Sequence, residues 1–91
     1  MAQISINNYN EYEKYLAGYD EIFKKYQGEV IAVDDNPTLL EGKWNYTRIV
    51  LIRFPDEAEL RLWYESEEYQ KLAKHRWNSS EADILILNGR M

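Results

Sequence analysis

Cysteine is absent from this chain, which excludes a disulfide framework, a thiol nucleophile and a thiolate metal site. Histidine occurs once, at His75, so no two-histidine metal spacing exists and a serine triad has a single candidate base. Nowhere do about 18 apolar residues run together, the length that marks a membrane span. Residues Met1 to Ile6 lack the charged and apolar regions of a secretory signal. No glycine-rich phosphate loop is present. Asp34, Asp35 and Asn36 lack the later ligands and bidentate Glu of a calcium loop and read as a turn. Basic residues are in the minority: 11 Lys and Arg against 16 Asp and Glu leave a net charge of -5. A nucleic-acid binder draws affinity from Lys and Arg that release phosphate counterions. Neither nucleic acid nor an anionic membrane is therefore an expected partner. The expectation is a cytoplasmic protein without metal or other cofactor.

What is present describes one folded domain. Ninety-one residues suit a single domain, and 45% hydrophobic with 30% charged residues excludes disorder. Gln3 to Ile6 reads as a short strand. Asn8 is a helix N-cap, with Glu11 placed to reach back to its amide. Tyr12, Tyr15, Leu16, Tyr19, Ile22, Phe23 and Tyr26 then repeat at gaps of three and four, one broad helical face. Their tyrosines are expected to be amphipathic, ring packed and hydroxyl wet. Gly18 weakens this helix by about 1 kcal/mol, and Gly28 is expected to end it in a left-handed conformation. Glu29 to Val33 and Thr47 to Phe54 read as strands, the latter closed by Pro55. Asp56 with Glu59 opens another helix, and Ser66 re-caps a second piece of it. Asn78-Ser79-Ser80 is expected to break that piece before a last strand from Ala82 to Asn88. The order is β-α-β-β-α-β, an α+β domain over residues 1–91.

Three of these strands are apolar on both faces. Ile31 and Val33 oppose Val30 and Ala32; Ile49 and Leu51 oppose Val50, Ile52 and Phe54; Leu85 and Leu87 oppose Ile84 and Ile86. A strand covered on one side alternates with polar residues, and right-handed crossovers place both helical regions on the same side of the sheet. Roughly six apolar side chains are left over, worth of order 10–15 kcal/mol when buried. A second copy placed sheet to sheet is the expected cover. The alternative is a C-terminal helix that crosses to the bare face.

Leu40-Glu41-Gly42, then Arg48-Ile49-Val50-Leu51-Ile52-Arg53-Phe54-Pro55, then Trp63-Tyr64-Glu65-Ser66-Glu67-Glu68-Tyr69-Gln70-Lys71-Leu72 with Arg76 beyond, and finally Asp83 to Gly89, follow one another in a specific order and spacing. Together they resemble the uncharacterised family grouped as domain of unknown function 1330, within the dimeric α/β-barrel superfamily. The resemblance covers roughly residues 9 to 89. It implies a ferredoxin-like protomer with an antiparallel sheet, helices on one face and a sheet-to-sheet homodimer. It supplies no reaction. Relatives in the wider superfamily include cofactor-independent monooxygenases, isomerases and haem-degrading enzymes, an analogy of fold alone. The family's longer first strand and Asp-Pro-type helix opening are replaced here by Ile6-Asn7-Asn8-Tyr9, so no site residue is carried over from strand one.

Arg76 is the sharpest candidate for chemistry. It follows Tyr69, Leu72 and Ala73 on an apolar helical face, where an arginine must be paired or must bind an anion. Glu41 is its expected counter-ion, or, beside Trp44, an acid/base group of raised pKa. Arg48 begins a strand face and reads as a partly solvated rim residue or a second anion contact. Trp44, Trp63, Tyr64 and Tyr69 either line an aromatic pocket between helix and sheet or are plain core. His75 falls on the solvated side of its helix. Two functional readings remain open. One is a cofactor-independent enzyme acting on a small organic anion, with Arg76 as anchor and Glu41 as acid/base. The other is a non-catalytic ligand-binding or structural dimer.

Overall fold

A computed structural model describes residues 1–88 of the chain. Gly89, the last residue of the C-terminal match, lies outside the described residues. The elements are β1 (Ala2–Ile6), α1 (Tyr9–Phe23), β2 (Glu29–Asp34), β3 (Arg48–Arg53), α2 (Glu57–Tyr64), α3 (Glu67–Ser79) and β4 (Ser80–Ile84). This is the expected β-α-β-β-α-β order with the second helical region in two pieces. The strands form one antiparallel sheet in the order β2-β3-β1-β4.

The three helix starts among the described residues are local events written in the sequence. Asn8 accepts from the Glu11 amide at 3.2 Å, Asp56 from the Glu59 amide at 2.9 Å, and Ser66 from the Tyr69 amide at 3.2 Å, each relieving an orphan N–H of a first turn. The Glu11 side chain does not return to Asn8. It turns to His75 on α3 and to Lys14 instead. Ser66 also donates to the Trp63 carbonyl at 2.8 Å, which tightens the α2–α3 junction.

Several boundaries depart from expectation for identifiable reasons. Asn78-Ser79-Ser80 does not break α3 early. The Ser79 hydroxyl donates to the His75 carbonyl at 2.6 Å and that of Ser80 to the Arg76 carbonyl at 2.7 Å. These back-bonds satisfy helix-terminal carbonyls and carry α3 through Ser79. β4 therefore starts at Ser80 and ends at Ile84, not Ala82 to Asn88, although Met1 and Leu85 exchange one further backbone pair. Gly28 is not left-handed: Gly42, at φ 94°, is the one glycine with positive φ among the described residues. What Gly28 supplies is clearance, since an added Cβ would lie 2.7 Å from Phe54 Cζ and as close to the Phe23 ring. Gly18 likewise admits Leu72, whose Cδ1 would be 2.7 Å from an added Cβ, so α1 and α3 pack closely there.

The helices cover one face of the sheet. Ile4, Tyr12, Tyr15, Phe23, Trp63, Tyr69 and Ala73 are buried between the layers, with Val50, Ile52, Phe54 and Ala82 against them. Trp63 is the hub, with ring centroids 4.4 Å from Tyr69, 5.2 Å from Phe23 and 5.5 Å from Phe54.

The far face is less apolar than the sequence suggests. A bulge in β2 sets Ile31 and Ala32 opposite Leu51, and brings Val30 and Val33 together onto the helix side, across from Ile52 and Val50. On β4 the pairings Gln3 with Asp83 and Ser5 with Glu81 make the far side polar. The β2–β3 connection leans over this part: Ser5 donates to the Asn45 carbonyl at 3.1 Å and Tyr46 to Asp83 at 2.7 Å. Ile31, Ala32, Ile49 and Leu51 remain as the apolar portion, and α3 does not cross over to cover it. No helix among the described residues is long and apolar enough to cross a membrane.

Candidate ligand-binding site

Between the helices and the sheet opens a cavity of about 460 Å³, a size usual for small-molecule sites. Its floor is sheet: Ile4, Val50, Ile52, Val30 and Val33. Its walls are aromatic: Tyr12, Tyr15 and Tyr19 from successive turns of α1, Trp63 and Tyr64 from α2, Tyr69 from α3. Two arginines reach into it, Arg48 from the start of β3 and Arg76 from α3.

Arg76 is only 4% exposed, and no carboxylate lies within ion-pair distance of it among the described residues. Its guanidinium carbon stands 5.7 Å from the centroid of the Tyr15 ring, a cation–π contact. Nε and Nη2 are both buried without a hydrogen-bond partner. Burial works against its charge; its pKa is nonetheless raised, because the phenols of Tyr69 and Tyr15 act on it as phenolates at the alkaline pH where an arginine titrates, a compensation absent at neutral pH. Tyr15 and Tyr69 share a buried hydroxyl–hydroxyl hydrogen bond of 2.7 Å beside it. Arg48 is the more solvated of the two. Its Nη1 donates to Asp35 at 2.9 Å, its Nε is buried and unpartnered, and its guanidinium lies 5.9 Å from the Tyr12 ring centroid.

The remaining unpartnered polar atoms of the cavity are Tyr19 Oη and Trp63 Nε1. Burial pushes the Tyr15 hydroxyl well above its ordinary value and that of Tyr19 up as well. It raises Tyr12 too, against the pull of Arg48 and Arg76. All three phenols therefore stay neutral at physiological pH and cannot serve there as bases. Among the described residues the cavity presents hydrogen-bond donors in excess, with Asp20, exposed on α1, as the one lining carboxylate. Such an arrangement can hold an anion and stabilise negative charge. Among the described residues it offers no buried carboxylate to remove a proton.

The sequence candidates divide accordingly. Arg48, Arg76, Trp63, Tyr64 and Tyr69 are brought together around the cavity. Glu41 and Trp44 are not. They line a shallow hollow formed with Pro37 to Leu40 and Ile49 on the other side of the sheet, and Glu41 is exposed. The anticipated Arg76–Glu41 pair is not formed, because the β2–β3 connection folds over the face opposite the helices. Tyr12, Tyr15 and Tyr19 were expected to show their hydroxyls to water and instead supply a wall of the site. Their spacing on one helical face carried the signal, but it fits plain core equally well. His75 keeps a partly exposed side chain, and its Nδ1 lies 2.8 Å from Glu11, clasping α3 to α1 outside the cavity. That hydrogen bond, with the one from Lys14, holds the Glu11 carboxyl below its ordinary value. Among the described residues no three His, Asp or Glu side chains gather as a metal site.

A model for the family described as "Domain of unknown function (DUF1330)" matches residues 1–90. No curated protein matches the chain.

Proposed function

Since the chain belongs to the DUF1330 family, whose description names no activity, we propose its role from the cavity: it binds a small organic anion with an apolar body. The observation that carries this reading is Arg76, a buried guanidinium in the wall of an aromatic cavity, with two unpartnered donors and no carboxylate partner among the described residues. An uncompensated buried charge is costly, and an anionic ligand offsets that cost directly. Nε–H and Nη2–H lie on one edge of the guanidinium and point the same way, the fork that carboxylates accept in bidentate fashion. Binding is favoured over turnover because the buried phenols are held neutral and Glu41 is remote. A cytoplasmic location is part of this proposal.

The test is calorimetric titration with benzoate as a simple aromatic carboxylate. We expect saturable binding that persists between pH 6 and 9, with Arg76 charged throughout. Failure of benzoate and of aliphatic carboxylates of similar size to bind at millimolar concentration would overturn the reading.

We also propose that the protein works as a homodimer, packed through the face away from the helices in a ferredoxin-like, dimeric α/β-barrel arrangement. Ile31 is 45% and Leu51 37% exposed on that face, and Leu40, on the connection that folds over it, is 96% exposed. Leu51→Glu is expected to halve the mass measured by light scattering. A wild-type protein already at protomer mass would end the proposal.

A further inference from the structure

We infer that the apolar body of the ligand is an unbranched aliphatic chain lying across all four strands, from one edge of the sheet to the other; this rests on the anion-site reading only for the charged head. The backbone pairings carry it. Val33 pairs with Val50, Val50 with Ala2, and Ala2 with Ile84, so these four make one rung across β2, β3, β1 and β4. All four line the cavity. With strands about 4.8 Å apart, the rung is about 14 Å long. Over its middle, Tyr12, Tyr15 and Tyr69 form a buried roof. Its ends are open: Val33 is 46% exposed at the β2 edge and Ile84 43% at the β4 edge. The cavity is thus a passage with a mouth at each edge of the sheet.

Shape selects the occupant. A volume of about 460 Å³ spread along about 14 Å leaves a mean cross-section of roughly 30 Å², room for one aliphatic chain and not for two side by side. Sheets twist by about 20–25° per strand, so the floor turns by roughly 60–75° about the line of the passage between its mouths. A flat, rigid ring system of that length cannot follow the turn, whereas a chain that rotates about its own bonds can. The floor is aliphatic at every strand, which suits methylene groups. The charged groups of the lining, on Met1, Asp20, Arg48 and Arg76, stand outside this rung. The length of chain it admits is therefore set by apolar contacts.

The experiment is calorimetric titration of wild type, Val33→Trp and Ile84→Trp with hexanoate, octanoate and decanoate, and with the alcohols of the same lengths, all below their micellar concentrations. Both positions are exposed, so the larger ring is not forced into the core; near-UV circular dichroism checks that each variant is folded. For wild type we expect affinity to rise about fourfold per added methylene through decanoate, in both series. Each tryptophan narrows one mouth and should weaken decanoate by about tenfold, close to the worth of two methylenes. Hexanoate fits the roofed middle and should stay within about twofold. Affinity that levels off at octanoate, or a loss caused by one tryptophan and not the other, would overturn the inference. Should a variant unfold, the wild-type length series decides alone. The charged head is read separately. Carboxylates that bind no better than the alcohols would refute the anion site and leave the aliphatic passage standing. Carboxylates that bind without dependence on length would do the reverse. If nothing binds, both fall.

Discussion

Replacing Arg76 with methionine is expected to raise the melting temperature of the ligand-free protein while abolishing carboxylate binding. The sign follows from the missing partner. Where a buried arginine sits in an ion pair, truncating it strands the partner and costs about 3–5 kcal/mol. Among the described residues Arg76 has no carboxylate to strand, and what its removal forfeits is the contact with the Tyr15 face, worth about 0.5–2 kcal/mol. Against that stands the relief of a desolvated charge, several kcal/mol. A net gain of about 1 kcal/mol corresponds to a rise of roughly 4–8 °C for a domain this small. Thermal melts of wild type and variant, each with and without benzoate, read both parts at once. A variant that melts markedly lower than wild type would mean that Arg76 is a structural residue.

Trp63→Ala should have the largest destabilising effect of any single change in the protein. The ring is 6% exposed and touches Tyr19, Phe23, Phe54, Tyr64 and Tyr69. Truncating a buried tryptophan costs about 3–5 kcal/mol. The whole net stability of a domain this size is about 5–14 kcal/mol, so a large part of it is lost. With a urea dependence of about 1–2 kcal/mol per molar for a small domain, the unfolding midpoint should fall by about 2–3 M. A loss below about 1 kcal/mol would show that Trp63 is a cavity wall the fold can spare. The two variants bracket the site: one side chain is held there at the expense of stability, the other supports it.

The element order and three helix starts were legible because their signals are local. Asn8, Asp56 and Ser66 each bond an amide three residues on, and no tertiary information is needed to anticipate that. Arg76 was legible for the same reason, since a charge on an apolar helical face is anomalous wherever the helix packs. What could not be read depends on contacts distant in sequence. The bulge at Ile31 hides in the run Val30-Ile31-Ala32-Val33, where every residue suits either face, and only pairing with β3 reveals which residue is extra. Glu41 looked adjacent to Arg76 because both were unassigned charges near aromatics. The path of the β2–β3 connection over the opposite face, pinned by Tyr46 on Asp83, separates them. His75 stays partly exposed, but its contact with Glu11 could be seen only once α1 lay beside it. Ser79 and Ser80 carry both helix-breaking and back-bonding tendencies, and the open carbonyls at the end of α3 decided for the second.

The outer strands of the sheet bear on how copies can and cannot meet. β2 begins at Glu29 and ends at Asp34, and β4 carries Glu81 and Asp83. An antiparallel join of β2 to β2 from another molecule would bring Glu29 and Asp34 of the two chains toward each other, and a β4 join would gather four carboxylates. Like charges set opposite each other across strands destabilise the pair, and the kink at Ile31 further spoils the flat template that strand addition needs. The open edges are thereby guarded against ribbon growth and fibril-like polymerisation, so a sheet with unpaired outer strands can stay dispersed at high concentration.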